Sequence, residues 1–347
     1  MSPGREIQYT AGVKLVTFEL ATPLGPFSRL GALQEGRVVD LNLAAAARLA
    51  RAGKPCPQRL ADVLAPPDMV AFLEMGEDAL AEARRALEFA AQGPGLEGPR
   101  GERLVHALED VRLLSPLQPR SLRDFFAYED HALKAWERGG APLPPSWYDH
   151  PMYFKGNHRE IYGPDQVVPW PRYTRRFDFE AEVAAVVGRR GRDLSPEAAA
   201  ACIAGFTILN DFSARDMMKS ELAAGMGPGK GKDFAYGLGP CLVTADEVGP
   251  EADLEIQVLV NGELWSRGRT RDRYWSWGLM LSHVSQEESL LPGDVLGSGT
   301  FFQGCGLDLG RWVQPGDAVE LRVDSLGSLR HTVGKPGEPK RLKYARG

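Results

Sequence analysis

The stretch Phe177-Asp178-Phe179-Glu180-Ala181-Glu182-Val183-Ala184-Ala185-Val186-Val187 restricts this chain more than any other. It reads as a strand, and side chains alternate faces along a strand, so Glu180 and Glu182 point one way while Phe179, Ala181 and Val183 point the other. Two like charges that close repel, and burying them unpaired is costly, which leaves open solvent or a bound cation as their setting. The second half of the stretch is too apolar for an ordinary exposed edge. Whatever surrounds this strand must therefore cover it and still satisfy its acids.

The 347 residues, 43% of them hydrophobic, suffice for one large or two modest domains with a real core. The formal net charge is -5 and basic residues are interspersed with acidic ones, which argues against a nucleic-acid surface. Cys56, Cys202, Cys241 and Cys305 lie far apart with no CxxC pairing, which fits a reduced compartment and disfavours a zinc site. No apolar run is long enough to span a bilayer and no signal-like segment opens the chain, so the expected location is the cytoplasm and no membrane partner is expected.

Read in order, residues 1–12 are a loose tail, 13–110 a small β-rich N-terminal domain and 111–347 a larger second domain. Lys14 to Glu19, Ser28 to Leu33 and Arg37 to Leu41 read as a meander, and helical patterns follow at Leu43 to Ala52, Arg59 to Leu64 and Met69 to Ala91. Gln92 to Gly101 is the expected linker. Arg123 to Arg138 reads as an extended piece running into a helix, and its Pro-rich exit makes it a candidate lid. Ser195 is an expected N-cap for a helix from Pro196, and Trp275 to Ser285 is an expected helix. Strand patterns recur at Cys241 to Thr244, Leu254 to Val260, Val295 to Ser298 and Ala318 to Val323.

Asp124, Glu180, Glu182 and Asp211 can together make an oxygen-rich pocket, the ligand set that suits a hard divalent ion such as Mg²⁺ or Ca²⁺. Up to four carboxylates against one such ion leave net negative charge, and Lys232 in Gly231-Lys232-Asp233-Phe234 is placed in sequence to offset it.

Arg123-Asp124-Phe125-Phe126 with His131, Glu180-Ala181-Glu182, Asn210-Asp211-Phe212-Ser213-Ala214-Arg215-Asp216, Lys232-Asp233-Phe234 and Pro292-Gly293-Asp294-Val295-Leu296-Gly297-Ser298-Gly299-Thr300 stand in this order. Together they resemble the blocks of the fumarylacetoacetate hydrolase family, across roughly Leu113 to Val323. The resemblance implies an α+β, β-rich fold, a mixed β-sandwich roll with a small N-terminal domain, one Mg²⁺ or Ca²⁺ per subunit and a homodimer. Carried over by motif, Asp124, Glu180, Glu182 and Asp211 would be metal ligands, His131 the general base, Lys232 a cationic stabiliser and Thr300 a substrate hydrogen-bonding partner. The loop holding Asn157 and His158 would lie near substrate.

The implied activity is hydrolysis of a carbon-carbon bond in an acylpyruvate or related β-diketo acid, as in aromatic-compound breakdown. A lyase on the same site, acting on oxaloacetate-like or other 2-oxo acids, is the first alternative, and a non-catalytic 2-oxo acid binding protein the second. Phe126, Met218 and Leu222 stand where fumarylacetoacetase itself has Tyr, Gln and Tyr, which implies a more apolar distal pocket. The acid that orients His131 is open at this stage among Glu129, Asp130, Glu287 and Glu288.

Overall fold

The computed structural model describes residues 12–93 and 95–338, so the tail expected at 1–12 falls, Gly12 apart, outside the described residues. The chain opens with β1 (Lys14–Thr22), β2 (Gly25–Gln34) and β3 (Arg37–Asp40), then α1 (Leu41–Arg51), α2 (Pro57–Leu64), α3 (Met69–Met75) and α4 (Glu77–Ala90). Asp40 starts α1 by accepting the Leu43 amide at 2.9 Å, and Asp68 does the same for α3 from Ala71 at 2.9 Å. The run expected as one helix from Met69 to Ala91 is two, because Gly76 at φ 58° and ψ -133° leaves helical geometry between them.

The second part begins with β4 (Val105–Ala107), β5 (Arg112–Leu113), β6 (Ser121–Phe125), α5 (Glu129–Arg138), β7 (Tyr153–Gly156), β8 (Ile161–Tyr162), β9 (Val167–Val168), β10 (Phe177–Asp178) and β11 (Ala181–Val187). It continues with α6 (Pro196–Ala200), β12 (Ile203–Asp211), β13 (Ser213–Ala214), α7 (Arg215–Ala223), β14 (Tyr236–Thr244), β15 (Glu255–Val260), β16 (Glu263–Arg269) and α8 (Trp277–Ser285). The last elements are β17 (Asp294–Gly297), α9 (Gly306–Leu309), β18 (Ala318–Val323) and β19 (Gly327–Val333). Ser195 caps α6 as expected, accepting the Ala198 amide at 3.3 Å. Among the described residues no helix is long and apolar enough to cross a membrane.

The strands form a β-rich α+β architecture. Twelve of them make one mixed sheet in the order β4-β3-β2-β1-β14-β12-β11-β17-β6-β7, with β5 on β1 and β8 on β14. β16-β15-β18-β19-β9 make a second sheet, and β10 and β13 pair separately. The N-terminal meander joins the large sheet directly, since Lys14 pairs with Val243 and Leu15 with Leu242. The sheet therefore runs unbroken across the boundary read at residue 110.

β11 is buried along its whole length because both of its faces are covered. Val183, Ala185 and Val187 pack in one cluster with Ile256, Val258, Val319 and Leu321 of the second sheet. Ala184 and Val186 pack in another with Leu209, Leu238, Val295 and the apolar faces of α1, α3 and α4. The stretch from Phe177 to Val187 is thus not one strand. Phe177 and Asp178 pair with β13, Ala181 onward joins the large sheet, and Phe179 and Glu180 carry the chain between them.

Candidate active site

Three neighbouring segments of the large sheet aim carboxylates at one point. Leu209, Leu122 and Ala184 belong to the helix-facing cluster, so by alternation Asp211 on β12, Asp124 on β6 and Glu182 on β11 share that face. β17 lies between β11 and β6, and its Gly297 pairs with Ala184 on one side and Asp124 on the other. A Cβ at position 297 would meet Asp124 Oδ1 at 2.6 Å and Glu182 Oε2 at 2.9 Å. Glycine here leaves open the space into which the acids converge.

Asp124, Glu182 and Asp211 each place an oxygen within 4.8 Å of the others, and all three residues are buried. Both oxygens of Asp124, Oε1 of Glu182 and Oδ1 of Asp211 have no hydrogen-bond partner. Burial, then the charges of Asp124, Asp211 and Glu180, pushes the Glu182 carboxyl well above the usual range. Burial likewise raises Asp211, against the pull of Lys232, and raises Asp124. Orphaned, mutually repelling buried carboxylates around a vacant glycine position are what a hard dication would satisfy, so the residues fit such an ion.

Glu180 sits beside this trio with both oxygens facing cations: Oε2 is 2.6 Å from Lys232 Nζ and Oε1 is 2.8 Å from Arg215 Nη2. Burial alone would raise Glu180, but these two charges outweigh it and hold the group well below the ordinary glutamate value. To join a ligand set it would have to turn from Lys232. Lys232 also donates to Asp211 Oδ2, and it stays charged because Asp211 and Glu180 overcome its burial. An ammonium has three N–H groups, so these two contacts leave one for a ligand.

Arg215 was not singled out from sequence, although it lies within a quoted block. Its Nε donates to Asp178 Oδ2 at 2.7 Å, and Asp178 in turn accepts the amides of Gly306 at 2.8 Å and Leu307 at 3.0 Å. Asp178, from the two-stranded ribbon, thereby ties Glu180 to the start of α9.

α9 carries the acid that sequence left open. His131 Nδ1 lies 2.8 Å from Asp308 Oδ2, while Asp308 Oδ1 accepts Arg138 Nη2 at 2.7 Å. None of the four earlier candidates fills this place. Glu129 accepts the Tyr148 hydroxyl at 2.6 Å, Asp130 has no hydrogen bond to the imidazole, Glu287 pairs with Arg192 and Glu288 with Arg123. Burial would raise Asp308, yet the hydrogen bond and charge of His131 with those of Gln303 and Arg138 hold it below its ordinary value. An ionised Asp308 fixes the proton on Nδ1 and leaves Nε2 of His131 as a base. His131 is buried on the inner side of α5, not exposed on a polar helix, with Phe126 edge-on to its ring at 5.2 Å. Cys305 completes the corner: its backbone bridges to Glu180, and its Sγ lies within 4.8 Å of ligand atoms of His131 and Asp308.

The remaining sequence candidates are more peripheral. Thr300 is buried and its hydroxyl donates to the Ala181 carbonyl at 3.0 Å, so its proton is already used. Asn157 braces its loop, donating to the Asp233 carbonyl at 2.9 Å, and the His158 carbonyl accepts from Gln118. Met218 lies against Gly231, and Leu222 is 51% exposed on α7.

Comparison with known proteins places the chain among relatives of one family. Residues 121–334 match the family profile described as fumarylacetoacetate (FAA) hydrolase C-terminal. The chain is 31% identical over 332 residues to a mitochondrial oxaloacetate tautomerase of Homo sapiens, covering 94% of this chain and 93% of that protein. The fumarylacetoacetate hydrolase structure from Exiguobacterium antarcticum is similar with a TM-score of 0.67 at 24% identity, covering 93% of this chain and 99% of that one. The fumarylpyruvate hydrolase of Pseudomonas aeruginosa, solved with Mn²⁺ and pyruvate, has a TM-score of 0.55 at 23% identity, covering 64% of this chain and 91% of that one.

Proposed function

This chain belongs to the fumarylacetoacetate hydrolase family, and we propose that it is a divalent-metal-dependent enzyme that moves a proton at the carbon beside the keto group of a small 2-oxo acid. Enol–keto interconversion of oxaloacetate is the reaction it fits best. The observation that carries this reading is the buried His131–Asp308 pair, whose neighbour Cys305 bridges by its backbone to Glu180, which shares Lys232 with Asp211 of the orphaned carboxylates.

Asp124, Glu182 and Asp211 would hold the ion, with Glu180 joining if it turns from Lys232. Such an ion, Mg²⁺, Mn²⁺ or Ca²⁺, supplies chelation of the 2-oxo acid and polarisation of its carbonyl. Nε2 of His131 takes a proton from the substrate and returns it, so that it passes between C3 and the 2-oxygen. Asp308 keeps the ring oriented and offsets the charge it gains, and Arg138 holds Asp308 in place. The free N–H of Lys232 meets the negative charge that builds on the substrate oxygen. Phe126 keeps the His131 ring from turning away.

This reaction needs one base and no leaving group, and a relative 31% identical along nearly the full chain is named an oxaloacetate tautomerase. Carbon-carbon hydrolysis of an acylpyruvate is the second reading, favoured by the hydrolase profile that spans residues 121–334 and with them the proposed ligands and dyad; there the same Nε2 would take the proton of an attacking water. The enzyme would work as a cytoplasmic homodimer, in keeping with four unpaired thiols and the exposed, mutually packed rings of Tyr148 and Tyr274.

Ultraviolet absorbance of enol-oxaloacetate and of an acylpyruvate panel, followed with Mg²⁺ and with EDTA, separates the two. Metal-dependent loss of the enol band without pyruvate release supports the tautomerase. Loss of acylpyruvate absorbance with equal pyruvate release moves the assignment to the hydrolase, and no loss with any compound overturns both.

A further inference from the structure

Beside the all-oxygen cluster lies a second group of a different chemical kind. Cys305 Sγ, a ring nitrogen of His131 and a carboxylate oxygen of Asp308 all fall within 4.8 Å of one another. Nitrogen, sulfur and oxygen donors suit a borderline-soft ion, whereas Asp124, Glu182 and Asp211 offer only hard oxygens. We infer that His131, Cys305 and Asp308 form an inhibitory site for Zn²⁺ or an ion like it, whose occupation removes the catalytic base.

The charge count favours it. One thiolate, one carboxylate and one neutral imidazole offset a dication completely, so a buried site ends neutral. Tetrahedral zinc bonds of about 2.0–2.3 Å put neighbouring ligand atoms roughly 3.5 Å apart, so Nδ1 and Oδ2, now 2.8 Å from each other, must open slightly to admit the ion, while Sγ already lies within 4.8 Å of both residues. Asp308 can supply Oδ2 while Oδ1 keeps its 2.7 Å contact to Arg138, which holds the carboxylate where the ion would need it.

The protons balance as follows. The ion takes the place between Nδ1 and Oδ2 that the imidazole proton now fills, and that proton moves to Nε2 of the same ring. The thiol proton leaves to solvent, one per ion bound. Burial keeps Cys305 a neutral thiol until then. With its Nε2 protonated and its Nδ1 ligated, His131 can no longer accept a proton from substrate. Binding of the soft ion and catalysis are therefore mutually exclusive even when the carboxylate cluster holds its own hard ion.

The probe is Co²⁺ added to protein held in excess Mg²⁺, because only a thiolate ligand gives the near-ultraviolet sulfur-to-cobalt charge-transfer band. The expected band saturates at one Co²⁺ per chain, disappears in Cys305→Ser and in Cys305→Ala, and persists in Asp124→Asn, whose change lies in the hard cluster. Thermal melts of each variant establish that it is folded. A wild type with no such band, or a band that survives in either folded Cys305 variant, overturns the assignment. This readout stands whether or not the proposed turnover is found. Where turnover is found, Zn²⁺ should abolish it in the wild type without rescue by further Mg²⁺, while Cys305→Ala, measured against its own zinc-free rate, should resist; equal inhibition of both would overturn the inhibitory role.

Discussion

His131 and Asp308 are 177 positions apart, yet Nδ1 of one lies 2.8 Å from Oδ2 of the other, and the contact joins α5 to α9. General-base catalysis is worth roughly 10²–10⁴-fold, so His131→Ala should lower kcat/KM by about that factor with metal affinity retained. Asp308→Asn should fall in the same range, because an amide can present its N–H to Nδ1 and stabilise the wrong tautomer. Steady-state kinetics with calorimetric metal titration checks both. A fully active Asp308→Asn would remove the dyad from the account.

The orphaned oxygens of Asp124, Glu182 and Asp211 predict a metal effect on stability. Mg²⁺ or Mn²⁺ at about 100 times its Kd should stabilise the fold by roughly 2.7 kcal/mol, read as a rise in Tm. Burial raises all three carboxyls, so protons compete with the ion and affinity should increase as pH rises. A Tm indifferent to both ions would count against the site.

Gly297→Ala probes the space between the acids. Its Cβ would stand 2.6 Å from Asp124 Oδ1 and 2.6 Å from Leu209 Cδ2, and overpacking of this kind costs about 1–3 kcal/mol. The variant should fold but lose the metal-induced rise in Tm. Unchanged metal binding would show that the ion, if bound, sits elsewhere.

Asp178 links Arg215 to the first amides of α9, and all of these groups are buried or nearly so. Breaking a buried ion pair from one side costs about 3–5 kcal/mol, so Asp178→Asn should lower denaturant stability by that order. It should also reduce kcat, because Glu180 and Asp308 lose a shared anchor. A loss under about 1 kcal/mol would mean that Arg215 is held well enough by Glu180 alone.

His331 is fully buried on β19, with Nε2 3.3 Å from the Tyr162 carbonyl, and burial lowers its pKa to about 4. The folded state therefore binds this proton more weakly than the unfolded chain, whose histidine titrates near 6.5. Stability from this group is complete above about 6.5 and falls as pH drops toward 4, by about 3 kcal/mol over that window. His331→Gln should flatten this part of the stability–pH curve. Identical slopes for variant and wild type would contradict the argument.

Much of the frame was legible because it follows from periodicity and caps. β1 to β3, α1, α6 and α8 lie within a few residues of their sequence assignments, each with a clear turn or cap signal. β11 announced itself as apolar on both faces, which is what a strand between two layers requires. β16 did not, since it lies at a sheet edge with no buried face to impose alternation. β19 was hidden by a histidine at an inward position, between Leu329 and Val333. The break at Phe179 and Glu180 was invisible because it depends on a second ribbon, not on a local turn residue.

The carboxylates were legible as a set because their blocks resemble those of a family. Asp308 was not, because its partner is remote and the segment Phe301 to Gly306 departs from the family's pattern. Nothing in the spacing of His131 points to α9; only the folded contact does. Glu180 was legible as an acid at the site, but its partners Lys232 and Arg215 come from separate segments that meet only in three dimensions.

Proton transfer by His131 at C3 of a 2-oxo acid, with a divalent ion in place, is read by proton NMR as deuterium uptake at C3 of 2-oxobutyrate in D₂O, which needs neither cleavage nor a particular physiological substrate. The wild type should exchange with Mg²⁺ and little with EDTA, and the rate should fall roughly 10²-fold or more in His131→Ala. Exchange as fast in His131→Ala as in the wild type, or none in a protein shown to bind the metal, would contradict this role of His131.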